Sequence, residues 1–410
     1  MIDTGESYVR IAIWHNLRSG GAKRTLHEMV KHLSQGHSVD EYALSTADHC
    51  YCDLRPWVRA RHVFPFEPHY LFRSPFGRLN QLQRWRDLRR LDQLARQIAS
   101  QIDAEDYDVV FAQPCIWTQA PLVLRYLQTP SVYYLHEPPR ALYEEPPRRE
   151  GAGDGWRRVL DRFDPMIPLY RSAARRLDRK ATQAANRVLV NSQFIREAAS
   201  RIYGVTAHVC YHGIDTEMFR PLASVDKRNY VLSVGAIQPK KGFDFLIESL
   251  ACLPQDRRPP LKLVGNAEFG TERQYLQNLA AKCGVELSIE VRVDDQTLVR
   301  RYNEATLFVY APHNEPFGLA PLEAMACGTP VVGVAEGGVC ETVLDGLTGY
   351  LVSRDRHAFA DAVSVMLADP DRRWRFGQQG LSYVRDNWTW MAAVRRVEQH
   401  LCAVASQSCC

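Results

Sequence analysis

Short apolar runs alternate with segments of helical period along nearly the whole chain, and this alternation limits the possible folds more than any other feature. In the first half the runs fall at 9–14, 38–44, 62–66, 108–112, 131–135, 187–191 and 207–211. In the second half they fall at 230–235, 261–264, 287–293, 307–310, 329–334 and 349–352. Helical patterns lie between many of them, among them 22–32, 193–203, 243–252, 271–283, 295–304, 319–327, 355–368 and 371–385. Such βα alternation specifies an α/β class built on doubly wound parallel sheets. A chain of 410 residues exceeds what one hydrophobic core supports. Two Rossmann-like domains are therefore expected, 1–221 and 222–387, with polar, weakly periodic 222–229 as the linker and a terminal helix near 388–404.

Composition excludes several classes. Apolar residues make up 46% and charged residues 24%, as in an ordinary globular protein. A net charge of +4 is too small to suggest a nucleic-acid partner. No apolar run approaches the roughly 18 residues that span a bilayer. The first residues, MIDTGESYVRIAIW, carry acids and lack the pattern of a signal peptide. Eleven cysteines are scattered without a CxxC pair, so neither a disulfide framework nor a zinc site is expected, and a reducing cytoplasm fits. Cys409 and Cys410 do not form a CaaX box and read as a frayed end.

The stretch 313–332, HNEPFGLAPLEAMACGTPVV, carries the densest chemical content. Pro316 keeps Glu315 out of helical dihedrals, so Glu315 belongs to a loop. Gly318 permits close backbone approach, a helix then starts at Leu319, and Gly328 ends it. Amides at Phe317, Gly318 and Leu319, with the positive end of the helix dipole behind them, favour an anion. Glu315 and Glu323 are suited to accept hydrogen bonds from hydroxyls on either side of it. Hydroxyls at both ends with phosphate between them describe a nucleotide-sugar. A plain crossover with two solvated glutamates is the competing explanation of the bare spacing.

With EPFGLAPLEAMACGTPVV continuing through Gly337, Gly338, Glu341, Asp345, Gly346 and Gly349, the stretch resembles the signature of retaining glycosyltransferase family 4, whose pattern is a Glu, seven residues and a second Glu. The resemblance implies the GT-B fold: two Rossmann-like domains facing a central cleft, with the C-terminal helix, 388–410, crossing back to the N-terminal domain. Other segments are similar to family elements as well. Gly20 and Gly21, in a Ser-Gly-Gly turn between strand and helix, match the loop that faces the donor diphosphate. HEPPR, at the carboxyl end of the 131–135 strand, matches the His-x-Pro-x-Arg loop. It implies that His136 contacts the donor sugar near its anomeric centre and that Arg140 and Tyr143 stand on the acceptor side. Lys241 matches the diphosphate lysine, while Ala236 replaces an arginine common at its position. His212 stands where the family usually has Asn, in YHGIDTEMFRP. Glu315 would orient the sugar and Glu323 the ribose, so His136, Glu315 and Lys241 form the expected catalytic set.

The activity implied is transfer of a sugar from a nucleotide-diphosphate sugar to a hydroxyl of a glycan or lipid-linked acceptor, with retention of configuration and no cofactor or metal. Asp369-Pro370-Asp371 superficially matches a metal-binding Asp-x-Asp, but Asp371 reads as a helix N-cap. Two alternatives accompany this reading: a nucleotide-sugar 2-epimerase or hydrolase on the same fold, and a catalytically silent GT-B scaffold or carbohydrate-binding protein. A dehydrogenase is disfavoured, because no strand runs into Gly-x-Gly-x-x-Gly. Basic segments 73–96 and 148–180 read either as solvated helix faces or as peripheral contacts with anionic lipid on the inner face of the membrane.

Overall fold

The computed structural model describes residues 8–69, 81–144 and 166–407. Within these residues the chain forms two compact units. The first holds Met1–Asn191, Ile195–Cys210 and Val394–Cys410; the second holds Ser192–Phe194 and Tyr211–Ala393.

In the first unit the elements are β1 (Arg10–Asn16), α1 (Gly21–Leu33), β2 (Ser38–Leu44), β3 (Ala60–Phe64), α2 (Gln81–Asp103), β4 (Val109–Cys115), β5 (Ser131–Leu135), α3 (Arg140–Tyr143), α4 (Met166–Ala184), β6 (Arg187–Val190), α5 (Gln193–Tyr203) and β7 (Ala207–Val209). Its seven strands run parallel in the order β3-β2-β1-β4-β5-β6-β7. Central strands such as Val109–Cys115 are buried throughout, as expected when helices cover both faces. The strand read at 62–66 begins earlier, because β2 pairs with it from Asp40↔Ala60 to Leu44↔Phe64. Phe66 instead donates its N–H to Ser45 Oγ at 2.9 Å. Along α2, Leu88, Leu91, Ala95, Ile98 and Ile102 are all buried, which is the stripe their spacing predicts. The terminal segment is tied to this unit by Glu398, 2.7 Å from His37 Nε2, and by His400, 3.1 Å from Arg187.

The second unit contains β8 (Arg228–Val234), α6 (Phe243–Ala251), β9 (Leu261–Gly265), α7 (Glu272–Cys283), β10 (Leu287–Val291), α8 (Asp295–Glu304), β11 (Ala305–Tyr310), α9 (Leu319–Ala326), β12 (Val331–Val334), α10 (Val339–Thr342), β13 (Gly349–Val352), α11 (Arg356–Ala368) and α12 (Pro370–Asn387). The last helix, α13 (Trp390–Ser406), starts here. Six parallel strands run β10-β9-β8-β11-β12-β13. One apolar cluster joins α6, α7 and α11 to one face of the sheet, and another joins α8, α9 and α12 to the other. Both sheets reverse strand order once, between β1 and β4 and between β8 and β11. Open α/β sheets hold ligands at such switch points, beyond the carboxyl ends of the strands. The fold is therefore a pair of Rossmann-like units of the GT-B type.

Candidate active site

In the second unit the loops after β8 and β11 flank the switch point. A single turn, Pro239–Lys241, ends at Gly242 with φ +64°. A Cβ on Gly242 would lie 2.0 Å from the Ala311 carbonyl oxygen, so only glycine lets this loop lie against the end of β11. The Lys240 carbonyl accepts from the His313 N–H at 2.9 Å, which locks the two loops together. Arg354 braces the same corner by donating to the Ala311 and Pro312 carbonyls at 3.0 and 2.8 Å. Lys241 and Glu315 are thereby brought side by side, Nζ to Oε2 at 2.8 Å. Both side chains keep about a sixth of their surface, 16% and 17%, so the pair is reachable from solvent.

The helix expected at Leu319 is α9, and Gly318 is its N-cap with φ +100°. First-turn amides of a helix have no acceptor in the preceding turn, which leaves the Phe317–Leu319 corner suited to an anion. The Phe317 side chain is buried against Tyr211, His212 and Trp388, so only its backbone can serve a ligand. Glu323 is 9% exposed and accepts from the Tyr302 hydroxyl at 2.7 Å. Tyr302 is a partner that sequence reasoning did not identify. Gly337 and Gly338 in the signature serve packing. A Cβ on either would meet the Glu315 or Pro316 carbonyl oxygen at 2.4 Å, and the Gly338 N–H donates to Glu315 O at 2.8 Å.

In the first unit, Gly20 adopts φ +147° as the N-cap of α1, and Gly21 is the first residue of that helix. His136 follows β5 directly and is 8% exposed. Its Nε2 lies 3.0 Å from Gln113 Oε1, and its carbonyl accepts from Asn191 Nδ2 at 3.1 Å. Burial lowers its pKa to about 3, so the ring is neutral at physiological pH. Arg140 pairs with Glu137 at 2.8 Å, and the Tyr143 hydroxyl donates to Asp178 at 3.0 Å.

A buried charged cluster escaped the sequence reading. Glu41 of β2 lies 2.9 Å from His15 Nε2 and 3.0 Å from Arg61 Nε. Lys23 Nζ, two residues beyond Gly21, stands 3.5 Å from the same His15 nitrogen. Burial drives the His15 pKa to about 4 and lowers that of Lys23. Burial pushes Glu41 up, but the His15 bond and the nearby cations outweigh it, so its pKa falls below the usual carboxylate range. The signal was present: Lys23 shares the stripe of Leu26, Val30 and Leu33, where a cation is out of place.

Where they are described, the basic residues of both segments form solvated helix faces: Arg84, Arg86, Arg89, Arg90 and Arg96 of α2 and Arg171, Arg175, Arg176 and Arg179 of α4 are exposed. Arg171 and Arg175 of α4 donate to the Ala141 and Leu142 carbonyls at 3.0 and 2.7 Å, closing the end of α3. Asp87 pairs with Arg90, and Asp92 with Arg125. Arg73, Arg78, Arg148, Arg149, Arg157, Arg158 and Arg162 lie outside the described residues. Among the described residues no helix is long and apolar enough to cross a membrane. The reading of Asp371 as N-cap is corrected: Asp369 accepts from the Arg372 N–H at 2.9 Å, because Pro370 occupies the first helical position.

Two family models match in tandem, Glycosyltransferase Family 4 over residues 19–218 and Glycosyl transferases group 1 over residues 214–382. A D-inositol 3-phosphate glycosyltransferase of Xylanimonas cellulosilytica is 33% identical over 220 residues, 48% of this chain and 52% of that one. The chain thus spans about half the length of that curated relative. A GDP-mannose-dependent alpha-(1-6)-phosphatidylinositol monomannoside mannosyltransferase of Mycolicibacterium smegmatis is 28% identical, over 78% of this chain and 88% of that one. Among solved structures, sucrose-phosphate synthase from Thermosynechococcus elongatus superposes with a TM-score of 0.72 at 21% identity, over 95% of this chain and 98% of that one. The chain belongs to glycosyltransferase family 4, the GT-B glycosyl transferases of group 1.

Proposed function

We propose that the protein transfers a sugar from a nucleotide-diphosphate sugar to a hydroxyl of a glycan or lipid-linked acceptor, with retention of configuration. The observation that carries this reading is the Lys241–Glu315 pair beside the N-terminus of α9, because it joins a cation, a carboxylate and helix amides at one switch point. Lys241 and the Phe317–Leu319 amides neutralise the diphosphate as it leaves, a fixed electrostatic stabilisation of developing charge. Glu315 accepts from sugar hydroxyls, and Glu323, held by Tyr302, accepts from the ribose. In the first unit, neutral His136 offers a hydrogen-bonding group to the sugar, and the Gly20–Gly21 loop serves phosphate. Arg140 stands on the acceptor side, and Tyr143 secures its loop.

The names of the relatives support transfer to a cyclitol or a lipid-linked glycan, and a mannose donor carried by GDP is the first to test. The epimerase, hydrolase and silent-scaffold alternatives gain no support from these names. We propose further that no metal is needed and that work is done at the cytoplasmic membrane face. The test is a thermal-shift panel of GDP, UDP, GDP-mannose, UDP-glucose and UDP-N-acetylglucosamine, run with and without EDTA. A ligand at 100 times its Kd stabilises by about 2.7 kcal/mol. Silence across the panel overturns the donor site, and a shift abolished by EDTA overturns the metal-free mechanism.

A further inference from the structure

Asp178 of α4 is 1% exposed, yet it gathers groups from three places in the first unit. Its Oδ1 accepts from the Ala120 N–H at 3.2 Å. Its Oδ2 accepts from the hydroxyls of Tyr143 at 3.0 Å and Tyr203 at 2.8 Å. Ala120 closes the loop after β4, and Tyr143 closes the segment that begins at His136. The two loops are also joined directly, since Gln119 Nε2 donates to the Glu137 carbonyl at 2.9 Å. Gln119 holds φ +59°, a left-handed conformation that a non-glycine residue keeps only when its surroundings impose it.

We propose that Asp178 is a positioning residue: as a carboxylate it holds loops 116–120 and 136–144 in register, and its protonation releases the second loop and slows sugar transfer. This rests on the transferase reading above. The chemistry lies in donor counting. A backbone N–H cannot accept, so the Oδ1 partner is fixed. A proton on Oδ2 sets a third O–H against two tyrosine O–H groups, and one tyrosine must turn its hydroxyl or withdraw. Burial pushes the Asp178 pKa up to about 6, within reach of mild acid. The groups facing it are Tyr133 of β5, Tyr143 of α3, Tyr203 of α5 and Arg179 of α4. The three tyrosines are themselves raised, so none titrates in that range.

The test pairs hydrogen exchange with kinetics between pH 5 and pH 8, on wild type, Asp178→Asn and Tyr143→Phe. Exchange is read on peptides covering 116–120 and 136–144, with peptides of the second unit as reference. Turnover is read as release of GDP from GDP-mannose, or UDP from UDP-glucose, with phosphatidylinositol or inositol phosphate as acceptor. In wild type, protection of 136–144 falls as pH drops through about 6, and kcat falls about tenfold or more with it while KM for the donor stays. Asp178→Asn, whose amide mimics the protonated acid, shows low protection and low kcat at every pH, without the limb. Tyr143→Phe loosens 136–144 alone and tests the clamp even if Asp178→Asn fails to fold. Protection that is independent of pH and of both substitutions overturns the proposal. So does a wild-type rate without a limb near pH 6. No turnover of either donor by wild type, with the protection pattern intact, is instead the failure of the transferase reading.

Discussion

Lys241 Nζ lies 2.8 Å from Glu315 Oε2, so the cation expected to meet a diphosphate already has an anion beside it. A bound nucleotide must therefore share or displace that contact. Lys241→Ala is expected to weaken GDP or UDP binding by roughly 1.5–3 kcal/mol, the usual worth of a charged hydrogen bond. Glu315→Gln is expected to leave the Kd of the free nucleotide within about threefold, since it frees the lysine, yet to lower kcat by roughly 10²–10³-fold. Calorimetric titration and initial rates check both, and a nucleotide Kd that collapses in Glu315→Gln contradicts this division of roles.

Gly242 and Gly346 separate backbone strain from steric conflict. Both have positive φ, +64° and +72°, but a Cβ on Gly346 meets nothing within 4 Å while one on Gly242 strikes Ala311 O. Gly346→Ala is expected to cost about 1 kcal/mol. Gly242→Ala is expected to cost distinctly more and to weaken nucleotide binding, because the Lys241 turn must lift away. Urea denaturation with parallel binding measurements reads the difference.

Tyr302→Phe leaves the Glu323 carboxylate without its hydroxyl donor. A loss of about 1–3 kcal/mol in stability is expected. If Glu323 serves ribose, binding of GDP weakens while binding of pyrophosphate does not. Equal weakening of both ligands contradicts the ribose role.

Acid stability follows from burial of His15 and His136, whose pKa values fall to about 4 and about 3. A histidine depressed in the folded state contributes stability above its unfolded value near 6.5 and loses it as pH falls toward the folded value. Each site is worth a few kcal/mol, at about 1.4 kcal/mol per unit of pKa. Asp178 acts in the opposite sense, since its raised pKa favours folding at low pH and that contribution fades as pH rises through about 6. Two histidines outweigh one carboxylate, so Tm is expected to drop steadily below pH 6.5, and less steeply in His15→Gln. A Tm flat from pH 7 to 5 contradicts the burial argument.

Capping gives a final contrast. Asp369→Ala is expected to lower stability by about 0.5–2 kcal/mol, and Asp371→Ala by much less, because only the first side chain accepts from the helix. Thermal melts of the two variants check it.

Local pattern was enough for most elements. Strand ends at Leu135 and Tyr310, the loop at Pro316 and the α9 start at Gly318 each follow from dihedral preference and periodicity within a few residues. The resemblance in 313–349 picked out the same loop that the structure sets against Lys241. Lys23 in its apolar stripe aside, the missed features have no local signature. Tyr302 meets Glu323 21 residues later, and Asp178 takes its donors from 25 to 58 residues away.

What the sequence determined by itself is the alternation of two doubly wound units and the residue types at their carboxyl edges, because periodicity and backbone dihedral limits act over short stretches. Only the tertiary structure decided that Lys241 and Glu315, 74 residues apart, form a pair, and that His15, Lys23 and Glu41 share a buried cluster. Pairing of charges depends on separation in space and on loss of water, and both are set when strands distant in the chain become neighbours in a sheet.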